Sequence, residues 1–271
     1  IIILLAGLIL PSGLAAPFRM ELRERGGDAP GGDTFRLKRE QWEAQQTAVI
    51  VCDMWDAHHC RNAVLRVQEL APRVNRLLEK VRSMGGLIIH APSSCMNFYS
   101  NHPARIRAQK APGAVDLPEG INSWVHWINK KEEQAGYPID HSDGGEDDDP
   151  LVHAQWVEEL KEMGRNPKSP WVRQIETIKI DSGRDFITDS GEESWNVLEQ
   201  HKIKHVMLVG VHANMCVLGR PFGLRQLARN GKNVVLVRDL TDTMYNPARR
   251  PRVSHFAGTD LIVEHVEEHV C

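Results

Sequence analysis

Short apolar runs alternating with amphipathic helical segments constrain this chain more than any other feature. The segment TAVIVCD (47–53) is almost continuously apolar and ends in Asp53, the pattern of a strand buried on both faces that delivers a polar group at its C-terminal edge. Val64, Val67, Leu70, Val74, Leu77, Leu78 and Val81 then recur at three- and four-residue steps, which predicts a helix over 61–83, stopped by Gly85 and Gly86. GLIIHAPSS (86–94) reads as a second buried strand ending in His90 and a turn, and NHPARIRAQK as a helix. Further on, QIETIKI (174–180) reads as a strand, and Asp189 or Ser190 as the cap of a helix running to about Gln200. HVMLVGV (205–211) is another strand, ANMCVLGRPFGLRQLARNG opens a helix ending at Gly231, NVVLVRD (233–239) is a strand, and the remainder is helical. Five strands alternating with helices predict an α/β fold, a doubly wound and mostly parallel sheet with helices on both faces in three α/β/α layers.

The rest of the chain frames that domain. IIILLAGLILPSGLAAP has a short apolar run followed by small residues, which reads as a signal peptide over 1–16 and implies a secreted or periplasmic protein; the other reading is a buried N-terminal strand. Residues 17–46 are polar and Gly-rich and read as a linker, within which FRLKREQW could form an edge strand. The domain then spans 47–271, with an inserted excursion at about 111–172 whose acidic run GGEDDD reads as a solvated loop rather than a calcium site. A net charge of −3 gives no reason to expect nucleic acid. No run of about 18 apolar residues predicts a spanning helix, so no membrane association is expected after signal cleavage. The five cysteines are odd in number and form no CxxC pair, which leaves at least one thiol free and gives a zinc ribbon no support.

In open parallel sheets, chemistry gathers at the C-terminal ends of strands. Asp53, Lys179 and Cys216 sit at such positions. A cysteine at the start of a helix is favoured as thiolate, a carboxylate can take its proton, and a lysine between them can hold the carboxylate ionised. Cys216 alone would read as a small buried hydrophobe. Its place just past the strand-to-helix turn LVGVHANMC, with Asp53 at a parallel strand end, favours a nucleophile.

GVHANMCVLGRPFGLRQLARNGKNVVLVRDL resembles the nucleophile segment of isochorismatase-like cysteine hydrolases, which include nicotinamidases and other amidases, and VIVCDMWDAHHC resembles their first strand. The resemblance covers about 47–110 and 174–250. It implies an isochorismatase-like fold and a triad of Asp53 as general base, Lys179 and the nucleophile Cys216. It also implies a cis peptide joining Val211 to His212, and an oxyanion hole from the backbone N–H groups of His212 and Cys216. Lys179 stands seven residues before Phe186, one off the family spacing, so it is either the triad lysine or an exposed strand residue. Trp55, His58, His59, His90 and Asn214 are expected to line a substrate pocket. No cofactor is expected, although nicotinamidases hold a metal beside the triad and Asp56, His58 and His90 could serve as such ligands. Arg220, one helical turn past Cys216, could meet an anionic substrate group or form an ion pair; Pro221 and Gly223 are unusual within a helix. The expected function is a cysteine hydrolase acting on a small amide or related C–N substrate through a covalent intermediate, as a homo-oligomer. The alternatives are an inactive small-molecule-binding member of the same fold and a metal-dependent hydrolase using His58, His59 and His90.

Overall fold

A computed structural model of the chain describes residues 17–25 and 35–271. The leader read at 1–16 lies outside the described residues, as does the stretch 26–34. The described part of the presumed linker is structured: Phe18–Arg25 (β1) and Phe35–Trp42 (β2) form an antiparallel pair with Phe18 opposite Trp42. The charges in FRMELRER mask a period-2 pattern, since Phe18, Met20 and Leu22 all pack on the core. Among the described residues no helix is long and apolar enough to cross a membrane.

Five parallel strands form the central sheet. They are Thr47–Cys52 (β3), Leu87–Ala91 (β4), Phe186–Ile187 (β5), His205–Val211 (β6) and Asn233–Asp242 (β7), in the order β5-β4-β3-β6-β7. Every residue of β3 is buried, as expected of its unbroken apolar run. Its side chains alternate between two cores: Ala48, Ile50 and Cys52 face one, Val49 and Val51 the other. Arg61–Ser83 (α1) covers the second core with Val67, Ala71, Val74, Leu78 and Val81, and burial of each of its valines and leucines contributes about 1.5–3 kcal/mol. The first core is covered by Pro103–Gln109 (α2), Gly191–Gln200 (α5) and Leu224–Arg229 (α6), with Val266 of the last helix, His255–His269 (α7). The excursion supplies Lys130–Ala135 (α3) and Pro150–Glu162 (α4). The architecture is α/β with helices on both faces of a parallel sheet, as expected.

Three local expectations are corrected. Residues 174–180 are not a strand; Gln174 alone bridges to Trp55, and the fifth sheet position is filled by β5. The β-branched residues there suggested a strand, but α1 holds the segment away from the sheet: Lys179 donates its N–H to Asn75 at 2.9 Å, and Arg82 donates to the Lys179 carbonyl at 2.7 Å. The helix expected from Ala213 to Gly231 is broken. A five-residue π turn, Ala213–Val217, leads into a break before α6. Pro221 has no N–H to continue a helix, and a Cβ on Gly223 would stand 2.7 Å from the Val217 carbonyl oxygen, so both residues serve the break.

The acidic run, third, is no solvated loop. Cys60 offers α1 no side-chain cap, and Asp148 supplies one instead. Its carboxylate accepts from the Arg61 and Asn62 N–H groups at 2.7 and 2.8 Å, while Asp147 pairs with Arg66 at 2.8 Å. Negative charge at a helix N-terminus satisfies open N–H groups and complements the dipole. The excursion is thus built into the domain.

Candidate active site

β3 lies between β4 and β6, so whatever follows β3 is flanked by the turns that follow its two neighbours. Asp53 is that residue. It adopts a left-handed φ of 47°, and its carboxylate is fully buried. From the β4 side, the Ser93 N–H donates to Oδ1 at 2.7 Å. From the β6 side, Arg220 Nε donates to Oδ2 at 3.3 Å, and the Cys216 thiol lies near enough for its protonation to be coupled to the Asp53 charge. Gly210 permits this convergence: its φ is 103°, and a Cβ there would stand 2.0 Å from the Cys52 carbonyl oxygen. Two residues later comes the Val211–His212 peptide, which is cis, and then the π turn that carries Cys216.

The charges of this group are interdependent. Burial raises the Cys216 thiol well above the ordinary cysteine range, and the Asp53 charge raises it further. Burial also raises the Asp53 carboxyl; Arg220, followed by the Cys216 and Ser93 hydrogen bonds, acts in the opposite direction. Burial disfavours the Arg220 charge, but Asp53 outweighs it and the guanidinium is held more firmly protonated than usual. The arrangement is therefore a protonated thiol beside a carboxylate that a fixed cation helps to keep ionised.

Lys179 is not brought to this group. It is an exposed residue whose backbone is held by α1, and the cation at Asp53 is Arg220. The signal for Arg220 was its four-residue spacing from Cys216, which places both on one side of a helical turn.

The expected pocket residues divide. Trp55 stacks on Trp171 with ring centroids 4.6 Å apart and donates Nε1–H to the Ser93 carbonyl at 3.1 Å. His58 lies 4.0 Å from His59 and meets the His212 ring edge-on at 5.0 Å. Its Nδ1 accepts from the Cys60 N–H at 3.2 Å, and burial pushes its pKa down to about 3, so its ring is neutral with the proton on Nε2. Asp53, Trp55, His58, Val211 and His212 help enclose one small cavity, and His212 Nε2 is buried with no hydrogen-bond partner among the described residues. His90 lies elsewhere. It shares a strand face with Ile88, toward α1, where Gln174 and Asp185 hold its two ring nitrogens at 2.9 and 3.0 Å. Asn214 clasps the backbone of Met244, accepting from its N–H at 3.0 Å and donating to its carbonyl at 2.9 Å.

Asp56, His58 and His90 do not converge as metal ligands; Asp56 pairs with Arg165 at 2.7 Å. Among the described residues, ligand-bearing side chains converge at Cys60, Asp147 and Asp148, and at Glu146, Asp148 and His153. Asp147 and Asp148 are already committed to Arg66 and to capping α1.

Two residues that sequence reading missed come from the excursion. Trp171 backs Trp55, and Trp124 lies against Gly219 so closely that a Cβ there would stand 2.3 Å from the indole. The Val125 N–H donates to the Gly219 carbonyl at 2.8 Å, and the Arg220 guanidinium lies 5.5 Å from the Trp124 ring centroid.

No protein-family model matches the chain, and no curated protein matches it. Among solved structures, the chain is similar to a cysteine hydrolase from Pseudomonas syringae pv. phaseolicola 1448A, at 15% identity over 83% of this chain and 85% of that one, with a TM-score of 0.45.

Proposed function

We propose that this chain is a cysteine hydrolase acting on a small amide or related C–N bond. The observation that carries the reading is a fully buried carboxylate, Asp53, held by the Ser93 N–H and the Arg220 cation, with the Cys216 thiol near enough to feel its charge. As the sulfur attacks the amide carbon, the thiol proton passes to Asp53. The new C–S bond gives a tetrahedral oxyanion, which the backbone N–H groups of His212 and Cys216 stabilise. The C–N bond then breaks, Asp53 returns its proton to the leaving amine, and a thioester remains. Water, deprotonated by Asp53, attacks the thioester and releases the acid and the free thiol. Burial favours the protonated form of Asp53 and so strengthens it as a base, while Arg220 keeps enough of it ionised to act.

A screen of small amides with the wild type and Cys216→Ala tests this. Turnover by the wild type, loss in the variant and a mass increase on Cys216 under single turnover are expected. Undiminished turnover by Cys216→Ala overturns the mechanism. The thiol's burial favours a second reading, a binding protein without turnover. That reading requires tight retention of a small molecule together with the absence of any adduct on Cys216.

A further inference from the structure

We propose that a groove at the β5 edge of the sheet binds a small aryl phosphate, a phosphate dianion carried on a flat apolar ring. The groove is separate from Cys216, and the proposal does not rest on the hydrolase reading. β5 stands three positions from β6, which leads to Cys216, a distance of about 14 Å across the sheet.

The groove lies between α2, the turn that precedes β5 and the C-terminal end of α5. Its volume of about 640 Å³ is that of a small-molecule site. Pro103, Ile106, Arg107 and Lys110 recur at helical spacing and come to it from α2 and its C-cap. Phe186 and His201 come from the other two elements, the His201 ring standing edge-on to Phe186 at 5.4 Å. No carboxylate side chain lines the groove, although the chain as a whole carries a net charge of −3.

Three observations give the ligand its chemistry. First, Arg107 is a half-buried cation with no carboxylate partner among the described residues. Its Nη2 donates to the carbonyl oxygens of Ser182, at 3.0 Å, and of Asp185. The Asp185 carboxylate itself is turned to Arg82 Nε at 3.1 Å and His90 Nε2 at 3.0 Å. Arg107 Nε is buried with no hydrogen-bond partner among the described residues, and Nη1 donates to none of them. Buried charge is ordinarily paired, so this guanidinium calls for an anion. Second, Lys110 is exposed three residues further on and also has no carboxylate partner among the described residues, whereas Arg184 is taken by Asp181 at 2.9 Å. Two open cations match a phosphate dianion; a single carboxylate would neutralise one of them. Third, the guanidinium is fixed by its two carbonyl bonds and lies 5.3 Å from the Phe186 ring centroid, so little ordering cost remains when the ligand arrives. The rest of the lining is largely carbon, from Pro103, Ile106, Ala111 and Phe186, which suits an aromatic ring rather than a sugar.

4-Azidophenyl phosphate tests the proposal. It is photolysed with the intact chain, and its adducts are located by mass mapping. Adducts are expected within 103–111 and 183–201, in the wild type and equally in Cys216→Ala. Phenyl phosphate should suppress them at concentrations at least about tenfold lower than phenol or inorganic phosphate, the scale of one charge-assisted hydrogen bond or of the ring's burial. Lys110→Glu changes an exposed side chain and leaves the Arg107 bonds in place; it should raise the phenyl phosphate concentration needed at least about tenfold, and Arg107→Gln should do the same. The comparison of the three competitors on the wild type stands if Arg107→Gln does not fold. Four results each overturn the proposal: no adduct in these segments, adducts confined to the segment around Cys216, equal suppression by phenol, or full retention of phenyl phosphate binding in Lys110→Glu. Suppression by inorganic phosphate as strong as by phenyl phosphate also overturns it, because the ring would then add nothing. Amide turnover in the wild type bears on none of these outcomes, so the groove and the hydrolase stand or fall separately.

Discussion

Glu132 and Arg225 meet at 2.9 Å with side chains 0% and 1% exposed, joining the excursion's α3 to α6 behind the site. His265 adds a second contact to the same carboxylate at 3.0 Å, which ties α7 to the same point. Removing one partner of a buried pair leaves the other charge desolvated and alone, at about 3–5 kcal/mol. Glu132→Ala should therefore lose that much stability in urea titration, whereas Glu132→Leu combined with Arg225→Met should recover most of it. A loss below about 1 kcal/mol in Glu132→Ala would show the pair to be solvated.

Gly219→Ala tests the wall beside Cys216. The added Cβ would sit 2.3–2.5 Å from three atoms of the Trp124 indole. The ring must move, and Arg220 loses its aromatic neighbour. Turnover of a cognate amide should fall at least tenfold, with a shift in tryptophan emission and a melting temperature changed by a few degrees at most. Unchanged emission would show that the ring tolerates the methyl group.

Lys179 and Arg220 should part company under substitution. Lys179→Ala removes an exposed side chain whose backbone contacts remain, and turnover should stay within twofold of wild type. Arg220→Ala removes the cation from Asp53, and turnover should fall about 10²-fold or more, the scale set by loss of a working acid–base group. Equal losses in the two variants would return Lys179 to the site.

In the proposed mechanism Asp53 must be ionised to accept the thiol proton, so kcat/KM should fall as pH drops through its pKa. Burial raises that pKa above the ordinary aspartate value, and the acid limb should lie correspondingly higher. Arg220 opposes the rise, so Arg220→Gln should move the limb to still higher pH. Movement toward lower pH would contradict this electrostatic account.

His255 sets an alkaline limit to stability. Burial disfavours its charge, but the Asp147 carboxylate 3.4 Å from Nδ1 and the Asp242 carboxylate 2.9 Å from Nε2 outweigh burial and lift its pKa to about 9. Its folded-state pKa lies above the unfolded value, so the contribution is complete below about pH 6.5 and is lost as pH rises through 9. The shift corresponds to at most about 3 kcal/mol. His255→Gln should flatten the stability profile between those pH values, as read by denaturant midpoints; a wild-type profile already flat there would show that the pairing is weak.

The sequence made some of this legible because some of it is periodic. β3, α1, β4 and β6 each show unbroken or regularly spaced apolar residues, and each formed where expected. Asp53 and Cys216 were legible for the same reason, since each follows a readable strand. Lys179 was misplaced because a strand pattern reports side-chain chemistry and not whether a sheet edge is vacant. Two contacts from α1, by Asn75 and Arg82, decided where that segment went. The partners of Arg220, Trp124 and Asp148 lie 86 to 167 positions away along the chain, and of the three only Arg220 leaves a local trace, its four-residue spacing from Cys216.

The cap that Asp148 places on α1 bears on what can be cut away. The long helix on the second-core face of the sheet takes its terminal bonds from a segment 86 and 87 positions further along the chain. Domain trimming that removes 111–172 as an ornament would strip α1 of its first-turn acceptors and leave Arg225 a buried orphan. It would also remove both tryptophans, the one against Arg220 and the one stacked on Trp55. The smallest autonomous folding unit of this chain therefore includes its insertion, and a single protease nick at 144–149 would be felt first at Arg61, far away in sequence and adjacent in space.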